Sequence, residues 1–329
     1  MVSIKDIAKE CKVSVAAVSR ALNNSKGISK ETREAILTVC DAMGYRPNSA
    51  ARSLILKKTH MIGLIIPDIT NQYYAYVIKG VNSYLEKAGY GLVLCNSDRN
   101  KANEAMYCDF LARQRVDGVI MIPIRRAKED YDVFARYSIP LVLVDNFVND
   151  LAVSFVANDN YAGARKIIQH VIAQGYRRIG AILGDTDSSA SNNRLRGYLD
   201  VVRENGLAVD NDILLHSKAT FEDGTKFAKT LIERKVDAIF AINDTVAMGI
   251  LKYCYENGIN IPRDLGLAGY DDIEQAGMLP VPLTTVHQRK FVLGEKAAEV
   301  LLDEIRHPGG PKQKIILQPE LVVRKSCGE

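Results

Sequence analysis

The chain has 329 residues, of which 47% are hydrophobic and 25% charged, with a formal net charge of +4. That balance describes an ordinary globular protein, and the length predicts about two to three domains at roughly 100–200 residues each. No run approaches 18 consecutive apolar residues, which argues against a helical membrane span, and the first residues lack the charged-then-apolar pattern of a signal segment.

Taken in order, the chain opens on Ser3-Ile4-Lys5-Asp6, a capping-box start for a short helix. Ile4, Ile7, Ala8 and Cys11 follow at i, i+3, i+4 and i+7, giving that helix one apolar face. After a break at Lys12-Val13, Ser14 caps a second helix whose Val18 and Leu22 face inward, leaving Val15, Ala16, Ser19 and Arg20 outside. Two short helices joined by so tight a turn form a helix-turn-helix unit. Small residues and one Arg at the start of the second helix suit a major groove, where the guanidinium offers a two-pronged donor to guanine. A generic pair of amphipathic helices is the plainer reading, and charge decides against it. Residues 1–60 hold 11 Lys and Arg against 5 Asp and Glu, or +6, while residues 61–329 sum to −2. Basic charge confined to the head is what phosphate contacts require.

A third helix is expected from about Lys30 to Met43, capped by Ser29 and stopped by Gly44, with Ala35, Ile36, Val39, Cys40 and Met43 on its inner side. Pro47 then breaks the chain, and Asn48 can cap a short Ala-rich helix ending in the apolar Leu54-Ile55-Leu56. By composition alone this stretch reads slightly better as a linker.

The run Ile4-Lys5-Asp6-Ile7-Ala8, the Val13-Ser14 turn, Val18-Ser19-Arg20-Ala21-Leu22-Asn23, Tyr45-Arg46-Pro47-Asn48 and Ala51-Arg52-Ser53-Leu54 resemble the LacI/GalR family of bacterial transcriptional repressors. The resemblance extends through essentially the whole chain. It implies that Val15, Ala16 and Arg20 meet base edges and that Ser14, Ser19, Asn23 and Ser29 contact DNA backbone or bases. Ala51 and Leu54 then fall in a hinge helix at about 48–56, with Leu54 as an apolar wedge in the minor groove. One departure is Lys12, where many members have Gly. A left-handed turn there costs a non-Gly residue about 1–2 kcal/mol.

The six cysteines (Cys11, Cys40, Cys95, Cys108, Cys254 and Cys327) are scattered without a C-x-x-C pair, as expected of reduced packing residues in a cytoplasmic protein. From residue 61 onward, apolar runs alternate with helical patterns. Strands are expected at Met61–Ile66, Gly91–Cys95, Asp117–Ile122, Pro140–Val144, Ile179–Leu183, Asp237–Ile242 and Leu265–Ala268. Helices are expected at Tyr74–Ala88, Asn103–Gln114, Tyr161–Gln174, Arg194–Asn205, Thr225–Arg234, Thr245–Asn257 and Val292–Arg306. Continuous apolar strands spaced by helices indicate parallel α/β sheets. Met61–Ile65 recurs as Arg178–Ile182, and Arg115–Ile120 as Lys235–Phe240, which points to two similarly built lobes. The expected fold is therefore an all-α helix-turn-helix head, residues 1–60, followed by a two-lobed α/β core, residues 61–329. The resemblance adds that this core is similar to periplasmic sugar-binding proteins.

Two such lobes bind a ligand where the carboxyl ends of their strands face each other. Loops after strands supply Asn71 and Tyr73, Asp145-Asn146-Phe147, Arg194, Asn243 and Asp271. The resemblance implies that Asn71, Tyr73, Arg194, Phe221, Asn243 and Asp271 line an effector pocket; position after a strand adds Asn146. Arg, Asp and Asn around an aromatic ring suit vicinal hydroxyls, so a sugar or sugar derivative is expected, with a purine or nucleoside as the alternative. No G-x-G-x-x-G, P-loop or metal-ligand spacing occurs, and the five histidines are isolated. No cofactor, metal or catalytic residue is expected. A solute-binding module without DNA regulation is the other alternative, and the basic head argues against it. The chain ends soon after Leu321-Val322-Val323-Arg324 with no heptad helix, so the expected assembly on duplex operator DNA is a homodimer.

Overall fold

The computed structural model describes residues 2–22, 26–45, 58–125, 127–148 and 150–328. They form two compact units, Met1–Thr59 and His60–Glu329. The first holds α1 (Ile4–Glu10), α2 (Val15–Leu22) and α3 (Lys30–Ala42). Ser3 and Asp6 make the reciprocal capping box, Ser14 Oγ accepts from the Ala17 amide at 3.1 Å, and Ser29 caps α3. Ile7, Val18 and Ile36, all fully buried, form the centre of the small core with Ala8, Ala21 and Cys40. Lys12 occupies the left-handed region at φ 53, so the turn retains the strain that a Gly would avoid. Ala35 departs from expectation: it faces solvent, and Ile36 and Cys40 carry the inner side of α3. The hinge stretch expected at 48–56 lies outside the described residues.

The second unit has two lobes. In the first, β1 (Met61–Ile66), β2 (Gly91–Asn96), β3 (Gly118–Met121), β4 (Leu141–Val144), β5 (Ser154–Asn158) and β11 (Lys314–Leu317) form one parallel sheet in the order β11-β5-β4-β3-β1-β2. Its helices are α4 (Gln72–Lys87), α5 (Lys101–Arg113), the short α6 (Asp132–Arg136) and, from late in the chain, α11 (Lys290–Arg306). Leu293, Ala297 and Leu301 of α11 are buried in the same core as Ile62, Val77 and Val142. The two helices α4 and α11 cross so closely that a Cβ on Gly80 would collide with the Phe291 carbonyl, and one on Gly294 with that of Val77.

The second lobe carries β6 (Ile179–Leu183), β7 (Leu214–His216), β8 (Ala238–Ala241) and β9 (Gly266–Ala268), parallel in the order β7-β6-β8-β9. It also holds α7 (Asn160–Ala173), α8 (Ser189–Glu204), α9 (Phe221–Glu233), α10 (Asp244–Glu256) and an antiparallel ribbon of β10 (Thr285–His287) with β12 (Glu320–Val322). The chain therefore passes between lobes three times: after Asn158, after His287 and after Leu317. The internal repeats mark equivalent strands, since β1 pairs with β3 as β6 pairs with β8. Among the described residues no helix is long and apolar enough to cross a membrane.

Candidate functional site

On the head, α2 presents Val15 (41% exposed), Ala16 and Arg20 to solvent, because Val18 and Ala21 take the buried side. Ser14 and Ser29, both exposed, hold the first turns of α2 and α3, while Ser19 is half-buried. Asn23, Ala51 and Leu54 lie outside the described residues. Lys12, Lys26 and Lys30 are exposed as well. A convex helix with small residues and one cation is thus left facing water, a shape that a major groove accommodates.

Within the second unit, a cleft of about 800 Å³ lies at the carboxyl ends of the strands of both lobes. Asn71, Tyr73, Asn146, Arg194, Asn243 and Asp271 all line it. Phe221 does not. It is the first residue of α9, and its backbone packs where α9 meets Gly249 of α10. The same helix instead turns Asp223 and Phe227 to the cleft, four residues apart and on one face. Tyr74, Asp145, His216 and Thr220 line it too. The signal for Phe227 was its i+4 spacing from Asp223, which is visible only once the start of α9 is known.

The cleft's charged floor is built from Arg194 on α8 and Asp271, which follows β9. Arg194 is 6% exposed, with Nε donating to Asn160 Oδ1 at 2.8 Å and Nη1 to the Ile242 carbonyl at 2.5 Å. Its guanidinium stacks 3.8 Å above the Tyr270 ring and lies 3.7 Å from Asp271 Oδ1. Burial works against that charge, but Asp271, Tyr270 and Asp145 outweigh it and hold the Arg194 pKa above its usual value. Asp271 has φ 111, and its Oδ1 accepts from Gln288 Nε2 at 2.5 Å. Burial lifts its pKa to about 6, despite the opposing cations Arg194 and Lys290. Behind this pair, Asp244 is pushed up to about 8 by burial and by Asp271. Thr285 Oγ1 donates to its Oδ1 and the Ile273 amide to its Oδ2.

The amide side chains have less freedom than sequence position suggests. Asn71 Oδ1 accepts from the Tyr73 amide at 2.9 Å and Asn243 Oδ1 from the Val246 amide at 2.8 Å, each as the cap of the helix that follows. Asn146 Oδ1 accepts from Ser188, Ser189 and Ala190 of the opposite lobe. Tyr73 is different. It is 3% exposed and its hydroxyl has no hydrogen-bond partner among the described residues. Burial, then Asp145 and Asp271, keep that phenol neutral by raising its pKa well above 10. A buried hydroxyl without a partner carries a desolvation cost that a bound polar group would relieve. Among the described residues no cluster of His, Cys, Asp or Glu could hold a metal ion.

Residues 3–48 match the bacterial regulatory proteins of the lacI family, and residues 168–327 match a periplasmic binding protein-like domain. The ribose operon repressor of Halalkalibacterium halodurans is 35% identical to this chain, covering 99% of it and 97% of the repressor. The transcriptional repressor PurR of Photobacterium profundum is 32% identical, covering 99% of this chain and 98% of PurR. Among solved structures, the transcriptional regulator CelR in complex with cellobiose superposes with a TM-score of 0.77 at 28% identity, covering 99% of this chain and all of CelR.

Proposed function

Because the chain belongs to the LacI family of bacterial DNA-binding transcriptional regulators, we propose that it represses transcription from a pseudo-palindromic operator under control of an uncharged, sugar-like effector held in the cleft. The observation that carries the effector reading is the buried Tyr73 hydroxyl, which lines the cleft without a partner among the described residues, beside the Arg194–Asp271 pair. Two buried carboxylates, Asp145 and Asp271, face the already engaged Arg194 guanidinium, and the other cations lining the cleft, Arg99, Lys101 and Lys218, are exposed and accompanied by Asp98, Asp185 and Asp223, so the buried floor suits vicinal hydroxyls better than an anion. Asn71, Asn243 and the Tyr73 hydroxyl orient the ligand, and the rings of Tyr74 and Phe227 cover its apolar faces. A nucleoside is the second reading, favoured by those same ring faces.

At the other end, Arg20 forks onto guanine while Val15 and Ala16 read by fit or by contact with thymine methyl groups. Ser14, Ser19, Asn23 and Ser29 hold the sugar-phosphate backbone, and Ala51 and Leu54 belong to a hinge helix whose Leu54 wedges into the minor groove. Two heads on a palindrome require a homodimer, with half-sites in successive major-groove turns. The effector acts by preferring one lobe arrangement, which alters how well the heads grip. This assigns the chain to the cytoplasm, as a binder and not an enzyme. The test has two arms on the full chain. Gel shifts in increasing salt should show duplex binding that weakens linearly on logarithmic axes. A thermal-shift panel of unphosphorylated aldoses, disaccharides and nucleosides should raise the melting temperature for one class. Salt-independent or absent DNA binding overturns the operator reading, and stabilisation by sugar phosphates alone overturns the uncharged effector.

A further inference from the structure

Asp145 lies in the left-handed region at φ 63, at the turn that follows β4 in the first lobe. Beyond that turn, the 9% exposed Asn146 reaches across to the second lobe. Its Oδ1 accepts from Ser188 Oγ at 2.9 Å, Ser189 Oγ at 3.2 Å and the Ala190 amide at 3.1 Å. The donors are themselves paired in return. Ser189 Oγ accepts from the Phe147 amide at 3.1 Å, and Ser188 Oγ accepts from the Ser191 amide at 3.2 Å as the cap of α8. Every hydroxyl in this ring thus donates once and accepts once. The acceptor also sits at the positive end of a 16-residue helix, where a concentration of negative partial charge is favoured.

We infer that Asn146 is not an effector ligand but a clasp that holds the two lobes together, so that a ligand reaches the cleft only while the clasp is open. The helix it grips also carries Arg194, four residues after Ala190, so the clasp fixes the wall on which that guanidinium stands. Three other side chains span the lobes among the described residues, and none substitutes for it. Lys290 Nζ donates to the carbonyls of Asp271 and Asp272 beside the crossover that follows His287. Lys101 and Asp187 pair at 3.3 Å with side chains 61% and 50% exposed, where ion pairs contribute little. Gln72 Oε1 accepts from the Glu274 amide at 2.7 Å, in an exposed position. No ionisable group belongs to the ring, so the clasp itself is held by hydrogen bonding. The inference does not depend on which molecule binds.

The test uses the full-length protein without ligand, with hydrogen–deuterium exchange and small-angle scattering as readouts. Loss of a three-donor acceptor in Asn146→Ala should speed exchange about tenfold or more in segments 145–148 and 186–192, leaving β1 and β6 protected. The radius of gyration should rise with it. Asn146→Asp keeps an oxygen for the same donors and should stay slow and compact, whereas the double variant Ser188→Ala with Ser189→Ala should behave as Asn146→Ala does. Unchanged exchange and size in Asn146→Ala overturn the clasp, as does an Asn146→Asp variant as open as Asn146→Ala. Should Asn146→Ala lose protection in β1 and β6 as well, the serine double variant, which leaves the loop intact, decides by the same two outcomes.

Discussion

Replacing Tyr73 by Phe removes a single oxygen from the cleft wall and should change the empty and occupied protein in opposite directions. The ring is buried in the first lobe's core and meets Tyr74 edge-on, with centroids 5.3 Å apart, so its packing survives the substitution. The hydroxyl is desolvated without a partner, a situation that costs about 1–3 kcal/mol. Because its pKa is raised far above neutrality, no charge is lost with it. The ligand-free Tyr73→Phe variant should therefore be more stable than the parent by about 1–2 kcal/mol. That is a melting-temperature rise of roughly 2–4 °C per kcal/mol for a unit of this size. In complex with whichever aldose the thermal-shift panel identifies, the same variant should bind about tenfold more weakly, since one hydrogen bond near 1.4 kcal/mol is gone. Urea unfolding of the ligand-free full chain gives the first quantity at unchanged slope, and calorimetric titration gives the second. A ligand-free variant less stable than the parent by more than about 1 kcal/mol would mean that the hydroxyl is satisfied already, and the idea of a cleft wall awaiting a polar ligand would fail.

On the head, Arg20→Ala should weaken operator binding by about 1–3 kcal/mol and relax base preference at one symmetric pair of positions. An unchanged binding-site profile would remove Arg20 from base reading. The buried carboxylates predict a pH dependence. Asp271 and Asp244 have folded pKa values raised to about 6 and about 8, so each contributes stability that is complete below its unfolded value and is lost as pH rises through the folded one. Stability should fall between about pH 4 and pH 8, and Asp244→Asn should flatten the upper part of that slope, as read from urea midpoints. Asp272 acts oppositely. Burial pushes its pKa up, but His287 and Arg324 hold it down to about 2, so its contribution is lost only in acid, outside this window. A flat profile across this window would show that these carboxylates remain ionised throughout.

The elements whose order is set locally were legible in the chain itself. Ser3, Ser14 and Ser29 announce three helices because a side-chain oxygen three residues ahead of an amide is a local device. The strands β1, β3, β4, β6 and β8 were readable because burial on both faces forces unbroken apolar runs. The short strands β7, β10 and β12, and the edge strand β11 with its alternating exposure, carry no such run and exist only through their partners. The cleft divides in the same way. That segments following strands bring Asn71, Tyr73, Asn243 and Asp271 to the cleft follows from parallel topology, whereas Arg194 stands inside α8, which begins at Ser189. Which oxygen is already engaged does not. Asn146 was placed at the cleft by sequence position, yet its carbonyl faces Ser188, Ser189 and Ala190, more than 40 residues away in the chain. Phe221 lost its place to Phe227 through the packing of α9 on α10. Local hydrogen bonds and periodicity are written in neighbouring residues, whereas the free or occupied state of a polar atom depends on what distant segments bring to it, and only the tertiary structure decides that.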